Sequence, residues 1–383
     1  MKKFFSNFGQ VDKIFLWITV TLVVVGLFVF FSASFSAFAN IDKFKGILFN
    51  QLVLGLVGGI ILLLITMRIP LEYYKKYSLW LYVLGVICLL LVFVPGIGIA
   101  HGGAKRWVSV LGFSFQPVEL AKYVTIIYIA AWLSFAKQKI QTIAQGLIPF
   151  MVMTGIVGVL LLAQPDTDSF MIIGIAAGVM YFVSGARLRD IGIMFLMALV
   201  AGGALIAMRP YLLSRIQVFL DPSRDALGSS YQVQQQLIAV GSGQLTGRGF
   251  GQSIQKFKYL PEPLGDSIFS VVGEEFGFIG SVVIIIVYLL FFLRGVMIAM
   301  RTKDTFAKLL VLGIICLITF QSYLNIASSI AVFPLGGLPL IFMSHGGTAL
   351  AFALGAVGIV LGISRNAQAP KPVAAAAVTR IKK

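Results

Sequence analysis

Charge is scarce in this sequence, and what there is leans to one sign. Only 11% of the 383 residues are Asp, Glu, Lys or Arg, where a soluble globular protein carries roughly 25%. With 59% hydrophobic residues and a mean hydropathy of +0.97, the chain needs lipid as its solvent. Cysteine is nearly absent: Cys88 and Cys316 both fall inside apolar runs, which excludes a disulfide framework. Histidine is as rare, and no second His or Cys stands at metal-binding spacing from His345. Acids are outnumbered 14 to 30, leaving a net charge of +16. The basic residues are scattered at the ends of hydrophobic runs rather than gathered in a stripe, so no nucleic acid is expected as a partner. Membrane lipids and a phosphorylated substrate are the expected counter-charges.

Long apolar runs are what the sequence has in quantity. Spans of about 20 residues fall near 14–35, 47–67, 78–95, 117–135, 146–163, 169–185, 191–208, 267–293, 309–328 and 345–363. The predicted fold class is all-α: a polytopic integral membrane protein of about ten helices. Lys and Arg sort to one side of these spans, from Lys2, Lys3 and Lys13 through Arg68, Lys75 and Lys76 to Arg365 and Lys383. The short loops of the other side hold only Lys43, Lys45, Lys105 and Arg106. Both termini are therefore predicted cytoplasmic. The first apolar run, which precedes Ala37-Phe38-Ala39, is longer than a signal-peptide core and is expected to stay as a span. One membrane domain, 1–369, is followed by a basic tail, 370–383, expected to be disordered. Gly55/Gly59 and Gly174/Gly178 are predicted to let helices pack closely.

The polar exception is the segment 209–266, a large outer loop between the seventh and eighth spans and too long for a mere connector. Tyr211–Leu220 and Tyr231–Val240 have apolar residues at helical spacing and are expected to lie on the membrane surface. The glycine-rich stretch 241–251 follows no strand and lacks a Lys-Ser/Thr ending, so it is not a nucleotide loop. It is expected to be a flexible or re-entrant segment lining a polar cavity. The loop ends in YLPEPLGDSIFSVVGEEFG, 259–277, where Asp266 sits between a Gly/Pro-broken turn and a hydrophobic helix. Desolvation there raises a carboxylate's pKa and makes it a usable proton acceptor.

Three further outer pieces converge on that side. In 102–122, Glu119 and Lys122 are three residues apart on one helix face and can pair within the membrane, as structure or as a substrate contact. In Gln164–Asp168, Asp-Thr-Asp resembles a metal-holding motif, with closure of a helix end as the plainer role. The Pro/Gly-broken segment 333–347 ends in His345, expected to be a hydrogen-bonded cavity residue rather than a ligand.

Taken together, GAKRW at 103–107, QPxELAK at 116–122, LLLAQPD at 160–166, FLDP at 219–222, YLPEP at 259–263 and GEExG at 273–277 resemble the SEDS family (shape, elongation, division and sporulation), the RodA and FtsW glycosyltransferases. The likeness runs from the first span through Gly347. AQPD, Gln255-Lys256 and FVSGA favour the division-type FtsW branch over RodA. The chain departs from the family pattern at Leu264-Gly265, where a His-Thr is expected. Asp168 stands in place of Gly, His345 in place of Tyr, and Gln235-Gln236 in place of Gln-Ser.

The resemblance implies a peptidoglycan glycosyltransferase that polymerises lipid II at the outer face of the bacterial cytoplasmic membrane, at the septum for a division-type protein. Asp266 is the implied catalytic base. Lys105, Arg106, Glu119, Lys122, Arg215, Lys256 and Glu262 are candidate substrate-binding residues. A class B penicillin-binding protein and other division or elongation proteins are the implied partners. No cofactor is certain; a divalent cation, Mg or Mn, could share the diphosphate load, and no metal residue is named. Two other readings stay open: a lipid II flippase, and a non-catalytic scaffold for cell-wall enzymes.

Overall fold

A peptide group in lipid has no water to bond, so apolar runs close their hydrogen bonds internally as helices. The computed structural model describes residues 11–368 apart from 39, 102–103, 111–112, 224–227 and 229. Lys2, Lys3, Arg224, Asp225 and the basic tail from 370 onward lie outside the described residues. Among the described residues, eight helices are long and apolar enough to cross a membrane: α1 (Lys13–Ser34), α2 (Ile41–Thr66), α5 (Pro117–Ala136), α6 (Ile143–Ala163), α8 (Leu188–Met208), α12 (Ile268–Arg301), α13 (Thr305–Ser329) and α14 (Gly347–Gln368). Two shorter apolar helices, α4 (Ser78–Leu91) and α7 (Thr167–Val183), occupy the other two expected positions. The remaining helices are short: α3 (Leu71–Lys76), α9 (Pro210–Leu220), α10 (Tyr231–Ser242) and α11 (Gln255–Lys258). The helices α9 and α10 coincide with the two amphipathic pieces expected in the long loop.

The core lies around α5 and α13, whose apolar windows are 78% and 83% buried, whereas none of the α8 window is buried. Helix α8 therefore lines the bundle's edge. Helix α1 belongs to the core: Asp12 caps it and pairs with Arg294 of α12 at 2.8 Å. Helix α2 lies against α14 through small residues. A Cβ at Gly59 would come within 2.6 Å of Leu354, and Thr66 donates to the Gly355 carbonyl at 2.7 Å. Gly55 likewise abuts Gly347. Gly174 and Gly178 do not support the same reading, because a Cβ at Gly174 meets nothing and one at Gly178 only Met194 at 3.9 Å.

The described residues also include a small sheet. A three-stranded antiparallel sheet, β1 (Gly98–His101), β2 (Ala104–Val110) and β3 (Phe113–Phe115), stands between α4 and α5. Successive β2 side chains point to opposite faces. Val108 is buried and Arg106 half-buried, while Lys105, on the opposite face, is exposed.

Candidate active site

The long loop is tied to the bundle through a break in α12. Gly277 has φ +64°, so the helix is interrupted there, with 268–276 on one side of the kink and 278–301 on the other. The glycine-rich stretch 241–251 fills the gap. Its Gln244 and Leu245 carbonyls accept from the N–H groups of Phe278 and Ile279 at 2.8 and 3.1 Å. Arg248 and Gly249 donate to the Glu274 and Glu275 carbonyls at 3.0 and 2.9 Å. A Cβ at Gly243 would sit 1.9 Å from the Gly273 carbonyl oxygen, and one at Gly247 would sit 2.2 Å from that of Glu275. The glycines serve close backbone approach. The expectation of a flexible or re-entrant segment is thus corrected: the stretch is packed against α12.

Both carboxylates of the GEExG motif reinforce this seam. Glu274 accepts from Ser253 Oγ at 2.6 Å and from the Ile254 amide at 2.9 Å. Glu275 pairs with Lys256 Nζ at 2.6 Å and accepts from Ser32 of α1. Lys256 is fully enclosed and also donates to Ser32 Oγ and the Gly251 carbonyl. It is part of the loop's anchor and is not among the charges that act on Asp266.

With the loop so anchored, Asp266 is held at the mouth of α12 by its backbone. Its carbonyl accepts from Asn325 Nδ2 at 2.9 Å and from Ser329 Oγ at 3.4 Å. Ser267 beside it accepts from Gln236 Nε2 at 2.9 Å and donates to the Pro261 carbonyl at 2.7 Å. The broken segment 333–346 packs on the same corner. Ser344 Oγ donates to the Gly265 carbonyl at 2.8 Å, and the His345 amide to that of Leu264 at 2.7 Å. Leu264 and His345, both singled out in the sequence, therefore meet through backbone. The His345 ring stacks on Phe30 at 6.1 Å, and burial lowers its pKa.

Gly337 marks the centre of the site. A Cβ placed on it would lie 3.6 Å from an Arg106 guanidinium nitrogen and 3.8 Å from an oxygen each of Asp168 and Asp266. Asp168 accepts from the Gly337 amide at 2.8 Å and pairs with Arg215 of α9 at 3.1 Å. Arg106 reaches across from β2, its guanidinium donating to the carbonyls of Gln164 and Pro165. Burial, then the charges of Glu262 and Asp168, push the Asp266 carboxyl up to about 7 against the opposing pull of Arg215 and Arg106. A carboxylic acid poised there exchanges a proton near neutral pH.

The structure therefore brings Asp266, Glu262, Arg106 and Arg215 together and adds Asp168, for which helix-end closure was the plainer expectation. Lys105 is exposed on the other face of β2. Glu119 and Lys122 pair at 2.9 Å in full burial, and Lys122 also donates to Gln321 at 2.8 Å. Gln321 in turn donates to the Pro339 carbonyl at 3.1 Å, so this pair braces the broken segment from below. Sequence reasoning missed Gln321, Asn325 and Ser329. Their signal was present as polar residues at i, i+4 and i+8 of an apolar span, which lie on one helix face. No group of three or more His, Cys, Asp or Glu that could hold a metal ion is found among the described residues.

Comparison with known proteins gives the same architecture. A chain from a peptidoglycan synthase complex that coordinates polymerization and crosslinking superposes with a TM-score of 0.77 at 25% identity, covering 94% of this chain and 99% of that one. The crystal structure of the rod shape determining protein RodA of Thermus thermophilus shares the fold, at a TM-score of 0.67 and 24% identity, covering 94% of this chain and 98% of that one. The probable peptidoglycan glycosyltransferase FtsW of Trichlorobacter lovleyi is 37% identical over 358 residues, 93% of each chain. Stage V sporulation protein E of Bacillus subtilis is 35% identical, over 92% of this chain and 97% of its own. The family model described as cell cycle protein, covering the FtsW, RodA and SpoVE proteins, matches residues 13–369, and the chain belongs to that family.

Proposed function

We propose that the chain is a peptidoglycan glycosyltransferase that polymerises lipid II, with the Asp266 face of the bundle on the outer side of the cytoplasmic membrane. The observation that carries the reading is the convergence of the Asp266 carboxyl, the Arg106 guanidinium and the Asp168–Arg215 pair around Gly337, where burial pushes the Asp266 carboxyl up to about 7. In this mechanism the GlcNAc 4-hydroxyl of an acceptor lipid II attacks the anomeric carbon of the growing chain. Asp266 takes the hydroxyl proton as the new C–O bond forms. The bond to undecaprenyl diphosphate breaks, and Arg106 and Arg215 stabilise the charge on the leaving oxygen. A single inverting displacement needs no covalent enzyme intermediate. Lys122 and Lys256 are fully enclosed in their pairs with Glu119 and Glu275, whereas Arg215 stays partly exposed beside Asp168, so the leaving group is assigned to the arginines. Any divalent cation would act as an added counter-charge on the diphosphate.

The FtsW names of the relatives and the AQPD and FVSGA phrases support a division-type role at the septum. A class B penicillin-binding protein would supply crosslinking. The test is lipid II polymerisation by the purified protein with its cognate penicillin-binding partner, comparing wild type with Asp266→Asn. Glycan strands from wild type and none from the folded variant are expected. Equal polymer from both would overturn Asp266 as the base, and labelled lipid II crossing liposomes without polymer would favour a flippase.

A further inference from the structure

Helix α13 carries two carboxamides one turn apart, Gln321 and Asn325, and both reach the broken segment 333–346. They donate to consecutive carbonyls, Gln321 to Pro339 at 3.1 Å and Asn325 to Leu338 at 2.7 Å. A carbonyl outside regular structure and away from water needs a donor, and that need alone accounts for the Gln321 contact. Asn325 does more. It is 1% exposed, and its Nδ2 donates a second time, to the Asp266 carbonyl at 2.9 Å. Its Oδ1 accepts from no group among the described residues, so the side chain acts here as a donor of two hydrogens. The two N–H bonds of a planar carboxamide diverge at a fixed angle, which sets the spacing of the two main-chain oxygens they meet.

Those two oxygens belong to opposite halves of the site. Leu338 follows Gly337, whose amide donates to Asp168 at 2.8 Å. Asp168 pairs in turn with Arg215 at 3.1 Å. On the other side stands Asp266, with a carboxyl oxygen 3.8 Å from where a Cβ on Gly337 would lie. One buried NH2 group thus joins the main chain of the proton acceptor to the main chain that holds its charged neighbours. Ser329, one turn further along α13, reaches the Asp266 carbonyl only at 3.4 Å and is the weaker tie.

We infer that Asn325 is a positioning residue for glycosyl transfer: its NH2 group fixes the Asp266 main chain against that of Leu338 and so sets the distance of the Asp266 carboxyl from Asp168 and Arg215. The inference rests on the reading of Asp266 as the base. Enclosed as it is, Asn325 acts through the two backbones it joins.

The experiment measures lipid II polymerisation by the full-length protein with its penicillin-binding partner, for wild type, Asn325→Leu, Asp266→Asn and the double variant. Leucine keeps the volume and removes both donors. Asn325→Leu is expected to lower kcat by roughly ten- to hundredfold, the effect of misplacing a reacting group by about an ångström, with KM little changed. Its pH–rate limb should also move to lower pH. Burial is the largest influence raising the Asp266 carboxyl, and a loosened Asp266 is less buried; Glu262 and Asp168 raise it further, while Arg215 and Arg106 lower it. Added to Asp266→Asn, the leucine should cost little more, because no base is left to position. A raised KM with unchanged kcat, an unmoved limb, or full additivity in the double variant overturns the inference, since each marks a role in folding or substrate binding instead. If Asn325→Leu does not fold, Asn325→Ser takes its place, with the same directions expected and smaller sizes. Loss of polymer in Asp266→Asn with wild-type kcat and limb in Asn325→Leu defeats this inference alone. Undiminished polymer from Asp266→Asn defeats the base assignment and the inference with it.

Discussion

Asp168 and Arg215 form an ion pair at 3.1 Å, and the same Asp168 oxygen accepts the Gly337 amide at 2.8 Å. One carboxylate thus links α7, the surface helix α9 and the broken segment 333–346 around Asp266.

That arrangement predicts a shift in pH dependence. Asp168 raises the Asp266 carboxyl and Arg215 lowers it. Asp168→Asn keeps an acceptor for Gly337, removes the raising charge and frees the lowering one. The alkaline-rising limb of polymerisation should move to lower pH by on the order of half to one unit. A pH–rate profile of the two proteins reads this directly; superimposable limbs would refute the coupling.

Asp266→Asn should lower polymerisation by about a hundredfold or more, the usual contribution of a general base. It should also change stability in a defined direction. The unfolded carboxyl titrates near ~3.9 and the folded one at about 7. The folded state therefore holds its proton more tightly, and wild type loses stability as pH rises from the lower value to the higher. Asparagine has no such loss. Thermal unfolding should find the variant more stable than wild type at pH 8, with the gap closing towards pH 4.

The Lys256–Glu275 pair should be expensive to break from one side. Glu275→Gln leaves an ammonium enclosed without its counter-charge, at a cost of about 3–5 kcal/mol. Lys256→Met with Glu275→Leu should recover most of that loss, because neither charge is then buried. Denaturation midpoints of the three proteins settle the comparison.

Gly277→Ala should loosen the whole outer loop. Its Cβ would meet the Gly247 nitrogen at 2.3 Å in a backbone with φ +64°, costing about 2 kcal/mol or more. Limited proteolysis should then cut within 241–251, where wild type resists; an unaltered digestion pattern would show that the seam does not hold the loop.

Much of this was legible in the residues. Each expected span has its helix because a backbone in lipid has one way to satisfy its own hydrogen bonds. Asp266 stood out because a carboxylate at the start of an apolar helix is costly wherever it lies. The sheet at 98–115 was not foreseen: its strands are short and lie between spans, and the hydrophobic pattern that reveals a span is too weak there. The partner of Lys256 could not be read either. Four carboxylates, Glu262, Asp266, Glu274 and Glu275, follow it closely in sequence, and only the packing of the loop on α12 and α1 decides which one it meets.

By itself, then, the sequence determined the solvent, the spans and the residue most suited to accept a proton, since these depend on composition and on order along the chain. Tertiary structure decided which charges Asp266 feels. Coulombic influence depends on distance, and Arg106, Asp168, Arg215 and Gly337 come from four separate stretches that only the packed bundle brings together.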